Sequence, residues 1–140
     1  QGRRLRYFRH PFLHVGLDLA KRRAFEAWLS ARGYTVAPVT IDNDDYIFAA
    51  VYAGALKEGA PETARKVADA YLVYMDAVFD FHEGLAQSLF GRPVRHVLLL
   101  HANELNADCS GRLFDRLRQR NYEFVSLETA LEDPAAKKTK

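Results

Sequence analysis

The chain has 140 residues, 49% of them hydrophobic, and a formal net charge of +2. This length suits one domain with its own core, and the apolar fraction indicates a globular protein and argues against a disordered one. Basic and acidic residues are interleaved, which argues against a nucleic-acid-binding surface, and no apolar run approaches the ~20 residues of a membrane span. The single cysteine, Cys109, allows no internal disulfide and lacks the Cys–His spacing expected of a nucleophile.

The first elements follow ordinary strand and helix patterns. Residues 5–9 alternate and are rich in aromatic side chains, which predicts a strand. Asp18 is a good N-cap for a helix over residues 19–32, and Gly33 is a typical helix end.

The middle of the chain predicts one more strand and two more helices. Residues 34–41 are β-branched and apolar, with Pro38 marking an irregular or edge position. Residues 47–56 predict a helix. Residues 62–90 carry the longest helical stripe, as one helix or as two with a kink between residues 76 and 84.

The last third predicts two strands and a short helix. Residues 94–100 are almost continuously apolar, as in a strand buried on both faces. Asp108 or Ser110 is the expected cap of the helix that follows, and residues 122–127 predict the last strand. Residues 133–140 are small and polar, which predicts a disordered tail.

Repeated strand-then-helix units with four strands predict an α/β fold with a parallel sheet. A helix end followed by a tyrosine that opens a strand occurs twice, at residues 29–34 and 117–122. Four strands cannot close a barrel of the usual kind. The pattern therefore leaves two alternatives, an open sheet or about half of a larger (β/α) barrel.

Three of the predicted strands end in polar or charged residues. In parallel α/β folds, ligands and chemistry collect at the carboxyl ends of strands. An arginine, a carboxylate cluster and a histidine from three strands would form an acid–base site there. The three sequences are Arg9-His10-Pro11-Phe12, Asp42-Asn43-Asp44-Asp45-Tyr46 and Leu98-Leu99-Leu100-His101.

In this order, the three sequences resemble the last three motifs of the polysaccharide deacetylase (NodB-homology) family. The resemblance implies removal of N- or O-acetyl groups from a carbohydrate, or hydrolysis of a related C–N bond. It also implies a deformed (β/α) barrel, with residues 1–132 as the C-terminal portion of a catalytic domain and residues 133–140 as the tail. The N-terminal strands of the barrel would precede Gln1.

The resemblance also implies a divalent metal, zinc in most members of the family. The two family motifs that supply the catalytic base and the metal ligands do not occur here. We therefore expect the ligands outside this chain segment. His10 and His14 have a His-x-x-x-His spacing, but His10 already belongs to the arginine motif and no Ser or Thr follows it. We assign no residue of this chain as a metal ligand.

By resemblance, three residues would be catalytic. Arg9 would hold the catalytic-base aspartate, since a guanidinium binds a carboxylate through two hydrogen bonds. His101 would be the general acid, because an unperturbed histidine titrates near ~6.5. Asp42, or alternatively Asp45, would orient His101. The same acidic cluster also suits a helix N-terminus, and one aspartate can cap while another faces the site.

The same resemblance implies the substrate-binding residues. The backbone N–H of Phe12, next to Pro11, would bind the developing oxyanion. Leu99 would shape the pocket for the acetyl methyl group. Tyr46 would line the substrate groove, and Asp45 would also contribute to substrate binding.

Two other classes of function stay open. One is a non-catalytic carbohydrate-binding protein of the same fold. The other is an oligomerising fragment whose open sheet pairs with another copy or with the missing N-terminal part. The expected partner is a carbohydrate, without nucleic acid or a membrane span, and the expected location is secreted or periplasmic.

Overall fold

The structure, a computed structural model, describes residues 5–137. Of these residues, 63% are helical and 5% lie in strands or bridges. The chain divides into two compact units, Gln1–Pro38 and Val39–Lys140. The sequence predicts one domain over residues 1–132, whereas the division falls inside the second predicted strand.

The first unit contains one helix and two very short strands. β1 (Tyr7–Phe8) and β2 (Thr35–Val36) pair in parallel. α1 (Leu19–Ala31) lies between them in sequence and begins as predicted at Asp18, whose carboxylate accepts a hydrogen bond from a first-turn N–H at 2.8 Å. Gly33 follows the helix with a φ of 76°, a left-handed conformation that glycine adopts without steric cost.

Three helices form the core of the second unit: α2 (Asp45–Lys57), α3 (Pro61–Phe90) and α4 (Glu104–Gln119). A short helix, α5 (Leu127–Leu131), and a 3-10 turn at Pro134–Lys137 follow. The buried apolar side chains of the three helices form one cluster together with Ile41, which lies shortly before α2. The cluster comprises Ile41, Tyr52, Ala55, Ala64, Ala68, Tyr71, Leu72, Met75, Phe79, Leu105, Cys109, Leu113 and Leu117.

α3 is one continuous helix of 30 residues, about 45 Å long at a rise of ~1.5 Å per residue. This confirms the prediction of a single long helix, and the kinked alternative is wrong. Pro61 occupies the first turn, where its missing N–H leaves no helical hydrogen bond unmade. Gly91 ends the helix in the left-handed conformation, with a φ of 65°.

Ion pairs link α3 to α4 along one side. Because most of these side chains are at least partly exposed, each pair contributes at most about 1 kcal/mol. Their repeat along both helices does more to fix the alignment of α4 on α3 than to raise stability. The pairs are Arg112–Asp69, Arg116–Asp76, Arg120–Asp80 and Arg120–Glu83.

Two extended segments run side by side in the second unit. Ile41 and Leu98 form a parallel bridge, in which the Leu99 N–H donates to the Ile41 carbonyl at 3.0 Å. Because the two segments run in the same direction, the residues that follow them emerge at the same end. Asp45 and His101 are among those residues.

The predicted fold class, a parallel β/α fold forming part of a deformed (β/α) barrel, is wrong. The described residues contain five α-helices and one two-stranded sheet. Residues 94–100 contribute only the bridge at Leu98, and residues 122–127 contain no strand. An apolar run indicates burial without specifying a hydrogen-bonded neighbour. Here Leu98 and Leu100 pack on the helical core instead.

Of the tail that the sequence predicts to be disordered, residues 133–140, the structure describes residues 133–137. Asp133 is buried, and its carboxylate accepts two hydrogen bonds from the Arg92 guanidinium, at 2.7 and 3.1 Å, and one from the Arg95 N–H at 2.9 Å. The 3-10 turn follows directly. Residues 138–140 lie outside the described residues.

Candidate active site

A buried carboxylate and a half-exposed imidazole form the centre of the candidate site. His101 Nδ1 lies 2.6 Å from Asp45 Oδ1, and the His101 backbone N–H donates to Asp45 Oδ2 at 2.9 Å. The Asp45 side chain is 0% exposed and that of His101 is 51% exposed. The buried partner is therefore fixed, while the ring that it holds can reach an outside group.

The position of Asp45 follows from two local features. It is the first residue of α2, where a carboxylate interacts favourably with the helix dipole. The loop before it is held by Asn43, whose Oδ1 accepts from the Asp45 N–H at 3.0 Å and whose Nδ2 donates to the Leu99 carbonyl at 2.6 Å. Asn43 thus ties the start of α2 to the segment that carries His101.

α4 and α3 complete the surroundings of the carboxylate. Asn106 Nδ2 donates to Asp45 Oδ2 at 2.5 Å and to the His101 carbonyl at 2.9 Å. The Tyr71 hydroxyl donates to Asn106 Oδ1 at 2.7 Å. Burial, reinforced by the Asp45 charge, raises the pKa of the Tyr71 hydroxyl above its ordinary value, so this group stays protonated and remains a donor.

These contacts assign the tautomer of His101. Asp45 Oδ2 accepts from two groups that can only donate, the His101 N–H and the Asn106 amide. Asp45 Oδ1 accepts from Nδ1, which therefore carries a hydrogen. Nε2 is then the nitrogen that gains or loses a proton. Such a ring can act as a base when neutral and as an acid when charged.

The structure brings Asp45, and not Asp42, to His101. Asp42 is exposed, and its Oδ1 accepts from the neighbouring Asn43 N–H at 3.0 Å. The contacts therefore favour the Asp45 alternative over Asp42 as the residue that orients His101, and the orienting role itself stays a prediction. Asp42 and Asp45 are three residues apart in one motif, and the motif did not show which of them contacts His101.

Two of the expected substrate-binding residues lie near the pair. Tyr46 is 55% exposed, and the centroid of its ring lies 6.1 Å from that of His101 in an edge-on arrangement. Leu99 is half-buried, and its carbonyl accepts the bond from Asn43. An exposed aromatic ring beside an exposed imidazole forms a surface on which a flat or cyclic ligand can lie.

Arg9, Pro11 and Phe12 belong to the first unit, whereas every residue of the pair and its surroundings belongs to the second. Arg9 and Pro11 are exposed. Phe12 is 91% exposed and has a φ of 52°, unusual for a residue other than glycine. The expected roles of these three residues stay predictions.

His10, which the sequence analysis did not assign to a metal, is buried beside aromatic rings. Its ring centroid lies 5.3 Å from that of Phe8 and 5.7 Å from that of Phe25. His14 is exposed. The described residues contain no group of three or more His, Cys, Asp or Glu side chains that could hold a metal ion. By themselves they do not hold the implied divalent metal, whose ligands we expect outside this segment.

Cys109 is a poor candidate for a nucleophile. It is buried in the core of the second unit, and burial raises the pKa of its thiol. The reactive thiolate form is therefore disfavoured.

No protein-family model matches the chain, and no curated protein or solved structure matches it significantly. The likeness to polysaccharide deacetylases thus depends on the motif residues themselves. Within residues 5–137, no helix combines the length and the apolar character needed to cross a membrane.

Proposed function

We propose that this chain provides the general acid of a hydrolase of the polysaccharide deacetylase type, which removes N- or O-acetyl groups from a carbohydrate. The observation that carries the proposal is the pair of a fully buried Asp45 and a half-exposed His101, joined at 2.6 Å. A carboxylate on Nδ1 orients the imidazole and leaves Nε2 free for proton transfer. The order of the three motifs supports the choice of reaction.

In the proposed reaction, a water molecule adds to the carbonyl carbon of the acetyl group. The bond from that carbon to the sugar nitrogen or oxygen then breaks. His101 Nε2–H donates its proton to this leaving atom and becomes neutral. The base that takes the proton of the water, and any divalent metal, would come from outside this segment.

We assign Tyr46 and Leu99 to substrate binding in this reaction. An exposed tyrosine ring can pack against a sugar ring through its apolar face. The proposed location is secreted or periplasmic, where polymeric carbohydrates are accessible to an enzyme.

The decisive test is acetate release by the complete gene product. Acetylated chitooligosaccharides, acetylxylan and peptidoglycan would be compared as substrates. His101→Asn keeps a donor near the position of Nδ1, so Asp45 stays partnered, but it removes Nε2. We expect kcat to fall roughly 10²–10⁴-fold, the usual contribution of a general acid. His82→Ala, a histidine change in α3 outside the site, is the matched control and should leave kcat unchanged.

A second substrate separates acid catalysis from a general loss of structure. 4-Nitrophenyl acetate has a leaving group that departs without protonation, so its hydrolysis should lose far less in His101→Asn than hydrolysis of the sugar substrates. Equal losses on both substrates, or full activity on the sugar substrates, would contradict the assignment. Binding of an acetylated oligosaccharide without any acetate release would favour the non-catalytic alternative.

A further inference from the structure

We propose that Asn106 is a positioning residue for His101, and that the Tyr71 hydroxyl fixes the orientation of the Asn106 amide. The consequence for catalysis depends on the proposed function. The positioning itself depends only on the contacts of the second unit. Neither Asn106 nor Tyr71 belongs to the three sequence motifs.

The amide of Asn106 has a partner for each of its hydrogen-bonding groups. Its two N–H groups face Asp45 Oδ2 and the His101 carbonyl, and its oxygen faces the Tyr71 hydroxyl. A flipped amide would direct its oxygen at a carboxylate and at a carbonyl, neither of which can donate. The observed orientation is therefore the only one of the two that satisfies the buried groups.

The position of Asn106 is set by the start of α4. Asn103 caps this helix, and its Oδ1 accepts from the Asn106 N–H at 2.8 Å. The cap places Asn106 in the first turn, only five residues after His101. Asn106 is buried, so water cannot readily replace its contacts.

Asn106 and Asp45 together hold three points of His101. The backbone N–H and Nδ1 of the histidine bind the carboxylate, and its carbonyl binds the amide. Without the amide, Asp45 Oδ2 retains one of its two donors and the carboxylate gains rotational freedom. The Nδ1–H tautomer would then compete with the Nε2–H tautomer.

The test reads the tautomer by 15N chemical shifts of the imidazole nitrogens, without substrate. In the parent protein we expect His101 to be the Nδ1–H tautomer at a pH where the ring is neutral. Asn106→Ala should give a mixture of tautomers. On the sugar substrate it should lower kcat roughly 10–100-fold with little change in KM, the range seen when outer hydrogen-bond partners are removed at metal sites.

Tyr71→Phe provides a milder variant should Asn106→Ala fail to fold, because it removes one hydroxyl and keeps the amide. It should shift the tautomer in the same direction by a smaller amount. Tyr52→Phe is the matched control, since the Tyr52 hydroxyl also donates to a side-chain oxygen of α4, Asp108 Oδ2, at 2.7 Å. This variant should leave the tautomer unchanged.

Three results would overturn the positioning role. These are an Nε2–H tautomer in the parent protein, an unchanged tautomer in both Asn106→Ala and Tyr71→Phe, and an equal change in Tyr52→Phe. If the tautomer responds as expected but no variant or parent protein releases acetate, the positioning holds and the proposed function fails. The two hypotheses are thus tested separately.

Discussion

Replacing Asp45 by asparagine tests the geometry of the pair most directly. The substitution preserves size but supplies one accepting atom where the carboxylate supplies two. His101 N–H and the Asn106 amide both require that acceptor on the Oδ2 side. The new amide NH₂ then faces Nδ1, which must accept. We therefore expect Asp45→Asn to invert the tautomer of His101, leaving the hydrogen on Nε2.

The cost in stability follows from the three hydrogen bonds that Asp45 accepts. Bonds to a charged group contribute about 1.5–3 kcal/mol each and neutral ones about 0.5–1.5, so each bond weakens by roughly 1 kcal/mol. Relief from burying a charge offsets part of this loss. We expect the free energy of unfolding to fall by about 2–3 kcal/mol, which a domain stable by about 5–15 kcal/mol survives.

Urea unfolding followed by circular dichroism measures this loss, and 15N shifts measure the tautomer. Asp44→Asn is the matched control, because Asp44 is exposed at the same helix end and its side chain makes no capping bond. It should change the free energy of unfolding by no more than about 0.5 kcal/mol. An Nδ1–H tautomer in Asp45→Asn, or a stability equal to that of the control, would refute the reasoning.

Two further predictions concern stability away from the site. The Arg92 guanidinium holds the pKa of the Asp133 carboxyl well below its usual range. This contribution is present above the unfolded pKa of about 4 and is lost as pH falls towards the lower folded value. The stability gap between the parent protein and Asp133→Asn should therefore narrow from pH 5 to pH 2, and a constant gap would contradict the assignment. Gly91→Ala should lower the free energy of unfolding by about 1 kcal/mol, because Gly91 has a φ of 65°, a left-handed conformation that is costly for alanine. No atom lies within 4 Å of an added Cβ, so no clash adds to this cost. Gly84→Ala, in the interior of the same helix and equally uncrowded, should instead stabilise by up to about 1 kcal/mol. Thermal unfolding measures the change in Tm of each variant. Changes of the same sign in Gly91→Ala and Gly84→Ala would contradict the prediction.

Both ends of α1 were predicted well from the sequence, whereas the start of α4 was not: the predicted cap was Asp108 or Ser110, and the observed N-cap is Asn103. Asp18 and Gly33 act locally, through a cap and a backbone conformation, and their effects need no knowledge of distant residues. The strands were not predictable in the same way. Residues 94–100 are apolar enough for a central strand, but whether they pair depends on which neighbours the helices leave available.

In the candidate site, too, local features were predicted from the sequence and contacts between distant residues were not. Sequence motifs identified His101 and the acidic cluster, but not which aspartate faces the ring. Asn43, Tyr71 and Asn106 were missed because their partners lie 35 to 61 residues away. Asn106 had a detectable signal. Recognising Asn103 as the N-cap of α4 would have placed Asn106 in the first turn, close after His101.

The length of α3 has a consequence for the order of folding. Asp45 and His101 are 56 residues apart, and 30 of the residues between them form this helix. Once α3 is formed, roughly half of the connecting chain is rigid, and halving a flexible loop lowers its closure cost by only about 0.6 kcal/mol. Formation of the Asp45–His101 contact thus depends mainly on the prior docking of α2 and α4 onto α3. We therefore expect substitutions at Asp45 to accelerate unfolding far more than they slow folding.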